Sequence, residues 1–343
     1  MHNDLRGEGA VGRRRRVNYT ALVEVDPRAR YEYVKTTFQK RTARATHAID
    51  RFSFHEQTVV AAQKIAVPAT IPPMIHIALI RDVFFDAEGP ARLEARLEEA
   101  KARGAVIAIL PELPLNPWSA ATSEPIDDDA EDVGGPRAQV QQRLASTVGI
   151  GLVGGAIVRD SAGVRRNTAL VFDRRGTLLS TYAKCHIPAE PGFRESDHYA
   201  PGESFATPID GLGVPLGVQI CSDANRPQGI QALSALGAEL VVVPRATEVA
   251  TWHRWAPVLR ASALTSCCYV ASVNRPEPEH GVLLGGPSYA VAPDGEVLVE
   301  TDDAVAVFGV DRGAMERFRT EYPGYIAVRS DLYEASWRAV QHS

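Results

Sequence analysis

Residues 75–110 read IHIALI-RDVFFDA-EGPARLEARLEEAKAR-G-AVIAIL, and this stretch decides the architecture. Ile75-His76-Ile77-Ala78-Leu79-Ile80 is a short apolar run of strand length. Over 88–103, Leu93, Ala95, Leu97 and Ala100 recur among charges at near-helical spacing, and Gly104 stands where a helix would be capped. Ala105 to Leu110 is a second apolar run. Outward from there the pattern continues: a helix over 136–147, strands over 150–158, 168–172 and 178–183, a strand over 215–220 and a helix near 227–236. A strand over 239–243, a helix over 253–267 and a strand over 269–273 come next. Two last strands flank Pro293-Asp294-Gly295, a strong hairpin signal. Alternating β and α segments predict α/β layers. Strands that succeed one another without a helix predict mixed sheets.

The chain has 343 residues, 45% of them apolar and 23% charged, with four cysteines. That is long enough for a buried core without disulfides or a structural metal. So few cysteines do not make a secreted disulfide framework, and the expected location is cytoplasmic. No apolar run approaches the roughly 18 residues of a membrane span. The net charge of −5 gives no global reason to bind nucleic acid. The charge is uneven, however. Residues 1–73 carry 13 Lys/Arg against 7 Asp/Glu, and the remaining 270 carry 24 against 35. The run Arg13 to Arg16 is not followed by the apolar stretch of a secretory signal. Two units are therefore expected: a basic extension over 1–73, partly helical or disordered, and a main α/β domain over 74–343.

Three segments carry candidate chemistry. In Ile109-Leu110-Pro111-Glu112-Leu113 an acid closes an apolar strand, where α/β proteins place their sites. In Tyr182-Ala183-Lys184-Cys185-His186-Ile187-Pro188 a lysine ends a strand. In Gly217-Val218-Gln219-Ile220-Cys221-Ser222-Asp223 a cysteine comes after a strand and precedes a helix, so backbone N–H groups and the helix dipole are expected to lower its thiol pKa. Taken singly, each has a bland reading: a solvated Glu, a surface Lys, a small core Cys. Cys267-Cys268 lack the spacing of a metal site. Trp252, His253 and Trp255 fit either a pocket wall or a helix facing the core.

The ordered set resembles the nitrilase, or carbon–nitrogen hydrolase, superfamily. Pro111-Glu112-Leu113 fits its glutamate motif, Lys184 lies in Y-x-K-x-H-I-P, and Cys221 lies in I-C-x-D. Glu195 stands six residues before Pro201-Gly202, where the family often has a second glutamate. Pro244-Arg245-Ala246-Thr247, Val273-Asn274-Arg275, Gly285-Gly286-Pro287-Ser288 and Arg329-Ser330-Asp331-Leu332-Tyr333 are further matches. The resemblance implies a four-layer α-β-β-α sandwich with mixed sheets, commonly dimerised or assembled further. It implies Cys221 as nucleophile, Glu112 as proton carrier, Lys184 as oxyanion donor and Glu195 in support, with no cofactor and no metal. K-x-H-I-P…P-G-F-x-E looks most like the N-carbamoyl amidase branches, carbamoylputrescine amidase and ureidopropionase among them. Ser222-Asp223 departs from the Trp-Glu usual in nitrilases, which counts against a nitrile.

The implied substrate is a small carboxamide or ureido compound. Arg226, five residues past Cys221, is a candidate for gripping a substrate carboxylate, as are Arg194 and Arg245, while His186 is expected to order the loop after Lys184 or to touch substrate. Three readings stay open: an amidohydrolase, a transferase that passes the acyl group to an amine, and a non-enzymatic interaction protein.

Overall fold

The computed structural model describes residues 74–340, and the expectations for residues 1–73 lie outside the described residues. Twelve strands among these residues form two sheets. The first runs β12 (Val305–Val310), β1 (Ile75–Ile80), β2 (Ile107–Ile109), β4 (Gly151–Arg159), β5 (Arg165–Phe172), β6 (Leu178–Ala183), with β3 (Ala130–Asp132) paired to the far half of β4. The second runs β11 (Val297–Thr301), β10 (Ser288–Val291), β9 (Tyr269–Asn274), β8 (Leu240–Arg245), β7 (Leu216–Val218). Both are mixed: β1, β2 and β4 are parallel, as are β7, β8 and β9, and the remaining neighbours are antiparallel except β3.

Side-chain alternation sets the layers. In β1, Ile77 and Leu79 enter a core shared with the second sheet, whereas Ala78 and Ile80 enter a core on the opposite face. That outer core is closed by helices α1 (Gly89–Ala102) and α2 (Pro136–Val148) through Leu93, Leu97, Leu144 and Val148. On the far side of the second sheet, α4 (Gln228–Ala235) and α5 (Trp252–Ser266) contribute Ile230, Leu233, Leu259 and Ala263. The arrangement is an α-β-β-α sandwich. Leu240 to Val243 is apolar without alternation because both faces of β8 are buried. A one-turn helix α3 (Glu195–His198) lies in the loop after β6, and α6 (Arg312–Thr320) and α7 (Ser330–Arg338) close the chain.

Most expected elements appear within a few residues of their expected limits. The apolar runs 105–110 and 215–220 keep only three residues each in a ladder, because the chain leaves the sheet early to carry Glu112 and Cys221 clear of the strand ends. Strands β3 and β12 are additional to the expectations. The second flanks β1 in antiparallel register, Ile75 opposite Val310. Gly104 takes a left-handed φ of 88° just past α1, as expected of a helix-ending glycine. Among the described residues no helix is long and apolar enough to cross a membrane.

Candidate active site

Glu112, Lys184, Cys221 and Thr247 come after the ends of β2, β6, β7 and β8 respectively. Strands β4, β5 and β6 alternate in direction, so β6 runs parallel to β4 and β2, and Lys184 emerges at the same edge as Glu112. Carboxyl ends of parallel strands are where open sheets build their sites.

Lys184 is fully buried and lies between two carboxylates. Its Nζ donates to Glu112 Oε1 at 2.7 Å and to both oxygens of Glu195 at 2.7 Å. Asn167 Nδ2, from β5, donates to the same Glu112 Oε1 at 2.7 Å. Glu112 Oε2 is buried and has no partner among the described residues. One carboxylate oxygen is thus held twice and the other is left for chemistry. Burial opposes the Lys184 ammonium, but Glu112 and Glu195 outweigh it and hold its pKa well above the ordinary lysine value. Burial also pushes Glu195 up to about 7, against the pull of Lys184. Gly202, in the Pro-Gly of the motif, packs so closely that a Cβ would collide with the Ala183 carbonyl oxygen, and its N–H donates to the Lys184 carbonyl at 2.7 Å. That close approach fixes the strand end from which Lys184 extends.

Cys221 opens a 3-10 turn, Cys221–Asn225, in a left-handed conformation with φ of 46°. A non-glycine residue held there costs about 1–2 kcal/mol, and such strain collects where a side chain must be aimed. Its Sγ donates to the Ala246 carbonyl at 3.7 Å. Asp223 braces the turn from below. Its carboxylate accepts from the backbone N–H groups of Ile220, Cys185 and His186 and from the Tyr182 hydroxyl at 2.8 Å, and Oδ1 lies 2.7 Å from His186 Nδ1. The cysteine turn of one sheet is thereby tied to the lysine loop of the other.

The expected lowering of the thiol pKa does not occur. Burial and the nearby Glu112 and Glu195 push the Cys221 thiol well up, and Lys184 only partly offsets them. A five-residue 3-10 turn supplies too little dipole to prevail over burial and two carboxylates.

Cys221 and Glu195 open onto a cavity of about 240 Å³ walled by Phe193, Asn225, Thr247, Glu248, Arg254 and Trp255, among others. Three expected substrate contacts are corrected here. Arg226 is exposed and its guanidinium donates only to the neighbouring Asn225 carbonyl among the described residues. The chain turns outward after Asn225, so nearness in sequence does not bring Arg226 to the sulfur. Arg194 is likewise exposed, 3.8 Å from Asp197. Arg245 is fully buried behind the site, bonded to Ser272 Oγ, Thr247 Oγ1 and the Pro287 carbonyl and stacked on Trp252. His186 orders the lysine loop through Asp223 and lies outside the cavity lining. The cation on the cavity wall is Arg254, which has no distinguishing signal in the sequence because it sits on the polar side of an ordinary amphipathic helix. Trp255 lines the same wall, whereas the Trp252 indole N–H reaches Glu300. Among the described residues no group of three or more His, Cys, Asp or Glu is arranged to hold a metal ion.

A sequence model described as carbon-nitrogen hydrolase matches residues 83–319. The chain belongs to the carbon–nitrogen hydrolase family. As a carbon–nitrogen hydrolase it is similar to human omega-amidase NIT2, 32% identical over 246 residues that cover 69% of this chain and 88% of the relative. The zebrafish (Danio rerio) omega-amidase NIT2 is 29% identical over 274 residues, covering 76% and 95%. Two solved structures share the fold. The carbon-nitrogen hydrolase of Helicobacter pylori G27 superposes with a TM-score of 0.72 at 21% identity, covering 78% of this chain and all of that one. An amidase from Nesterenkonia sp. gives 0.63 at 22% identity, covering 76% and 96%. These relatives support the nitrilase superfamily and not the N-carbamoyl branches in particular.

The charge balance of the hydrolase site has a measurable consequence. Glu195 ionises near 4.5 when unconstrained and near 7 when folded. Between those values the folded state holds more protons than the unfolded one, so stability from this group is full below about 4.5 and is lost as the pH rises through 7. Glu195→Gln is therefore expected to gain stability relative to wild type as the pH rises from 4.5 to 7.5. Urea denaturation of both proteins across that range measures it. A constant difference between the two proteins would place the titration elsewhere.

Proposed function

We propose that the protein is a thiol amidohydrolase acting on a small linear carboxamide with a carboxylate at its far end. The observation that carries the reading is Glu112, whose Oε1 is held by Lys184 and Asn167 while Oε2 is buried without a partner among the described residues, beside a cysteine that opens onto a cavity. With its pKa raised, Cys221 needs a base at the moment of attack. Glu112 Oε2 takes the thiol proton as the S–C bond forms, and the Lys184 ammonium stabilises the oxyanion. Glu112 passes the proton to the leaving nitrogen, the C–N bond breaks and ammonia departs, leaving a thioester on Cys221. Water then attacks, its proton going to Glu112, and collapse returns that proton to sulfur and releases the acid. Glu195 holds Lys184 in place.

The far end of the substrate meets Arg254, an exposed guanidinium on the cavity wall suited to a carboxylate. The omega-amidase relatives support this class. An N-carbamoyl acid presents the same two ends, a terminal carbonyl carrying NH₂ and a carboxylate, and K-x-H-I-P…P-G-F-x-E favours it as the second class.

Ammonia release from glutaramic acid, the neutral butyramide and a ureido acid tests both. The acids are expected to be preferred. Arg254→Gln should raise KM for the acid about tenfold, the low end for a charge-assisted hydrogen bond at an open rim, and leave butyramide within twofold. Equal loss on charged and neutral amides would make Arg254 structural. Acyl trapping on Cys221 with one ammonia released per site and no acid product from any amide would replace hydrolysis with acyl transfer.

A further inference from the structure

Besides Lys184 and Arg245, another fully buried cation lies behind Glu112, one that the chemistry above does not use. Arg275 comes directly after the end of β9 in the second sheet, and its guanidinium crosses to the turn that leaves β2 in the first. One Nη donates to the Glu112 carbonyl at 2.9 Å and to the Leu113 carbonyl at 2.8 Å, and the other to the Asn116 carbonyl at 2.9 Å. Nε and Nη2 meet Glu279 at 2.6 and 2.7 Å, and Glu279 Oε2 accepts the Trp118 N–H at 3.1 Å. Leu113, the residue after Glu112, is held at a left-handed φ of 50°. Residues 112–118 are therefore folded back so that three carbonyls converge on one planar fork. Only a guanidinium supplies that many donors in fixed directions. Without it the Glu112 and Asn116 carbonyls are buried acceptors lacking a donor among the described residues, and the turn is left with only the Asn116 N–H to Leu113 carbonyl bond at 3.1 Å to hold its strained conformation.

We propose that Arg275 is the positioning residue for Glu112: it fixes the backbone from which the carboxylate reaches Cys221, as Lys184 and Asn167 fix the carboxylate itself. The proposal rests on Glu112 being the base for Cys221. Displacement of a base by a fraction of an ångström slows proton transfer while leaving the cavity and its substrate contacts in place.

Alkylation of Cys221 by iodoacetamide, located by mass spectrometry, reads the base without needing the natural substrate. Four proteins form a cycle: wild type, Glu112→Gln, Arg275→Lys and the double variant. Arg275→Lys keeps the charge beside Glu279 but not the fork. It is expected to slow alkylation about tenfold in the wild-type background and less than twofold when Glu112 is already Gln, the signature of two residues acting as one unit. If Arg275→Lys does not fold, Glu279→Gln loosens the same fork and is expected to show the same dependence on Glu112. An equal factor in both backgrounds, or none in wild type, would overturn the proposal while leaving Glu112 as the base. Alkylation of Glu112→Gln at the wild-type rate would withdraw the base role itself, and this proposal with it.

Discussion

Cys221→Ala is expected to abolish turnover while the protein folds and assembles as before. Alanine tolerates the left-handed conformation about as well as cysteine does, and the lost contact is one sulfur bonded to the Ala246 carbonyl. The remaining machinery still binds substrate, but the two-step route through a thioester is closed. Loss of a nucleophile from such a unit costs about 10³-fold or more in kcat. Intact-mass spectra taken after mixing with a hydrolysed amide should show an acyl adduct on wild type and none on the variant. Residual activity above about a hundredth of wild type, with the adduct retained, would assign the nucleophile to another residue.

Lys184→Met is expected to be the most damaging substitution to both activity and stability. It removes the one cation between Glu112 and Glu195, and both carboxylates are buried. Breaking a buried ion pair from one side typically costs about 3–5 kcal/mol, because the surviving charge has neither water nor a partner. Here two like charges survive. The carboxylate pair will take up protons to relieve this, so the loss should be smaller at pH 5.5 than at pH 8. Denaturant titrations of wild type and variant at both pH values provide the check. The same deficit at both would mean that packing of the lysine stem, and not charge, holds the region together.

Much of this is legible before any coordinates. The α/β alternation emerges from apolar runs and amphipathic helices, the four-layer sandwich from the family resemblance. Glu112, Lys184 and Cys221 stand out as an ordered set of strand-end residues though each has a bland reading alone, and Glu195, in a loop, is legible only through the family resemblance. Asn167 does not, since a polar residue inside β5 reads as an ordinary half-buried position and its partner is 55 residues away. Arg275 stands in a recognisable Val-Asn-Arg, but its contact with the turn after Glu112 spans about 160 residues and leaves no periodic trace. Arg226 shows the opposite error. Closeness along the chain suggests closeness in space, and the outward turn at Asn225 undoes it. The thiol pKa escapes the sequence for a further reason: a dipole can be guessed from a helix start, but the field of two distant carboxylates cannot.

Asp223 joins the cysteine turn of one sheet to the lysine loop of the other, and Arg275 spans the same divide in the same direction, to the turn after β2. Neither sheet holds a complete set of reacting groups. On the proposed mechanism, a chain that has folded only through β6 during synthesis carries base and ammonium but has no nucleophile, and the thiol that emerges later gains its base only when the two halves dock. Hydrolysis is therefore an all-or-none report on that docking. A partly folded or misassembled chain will be silent, with no weakly active intermediate, and specific activity per mole of soluble protein counts correctly assembled molecules.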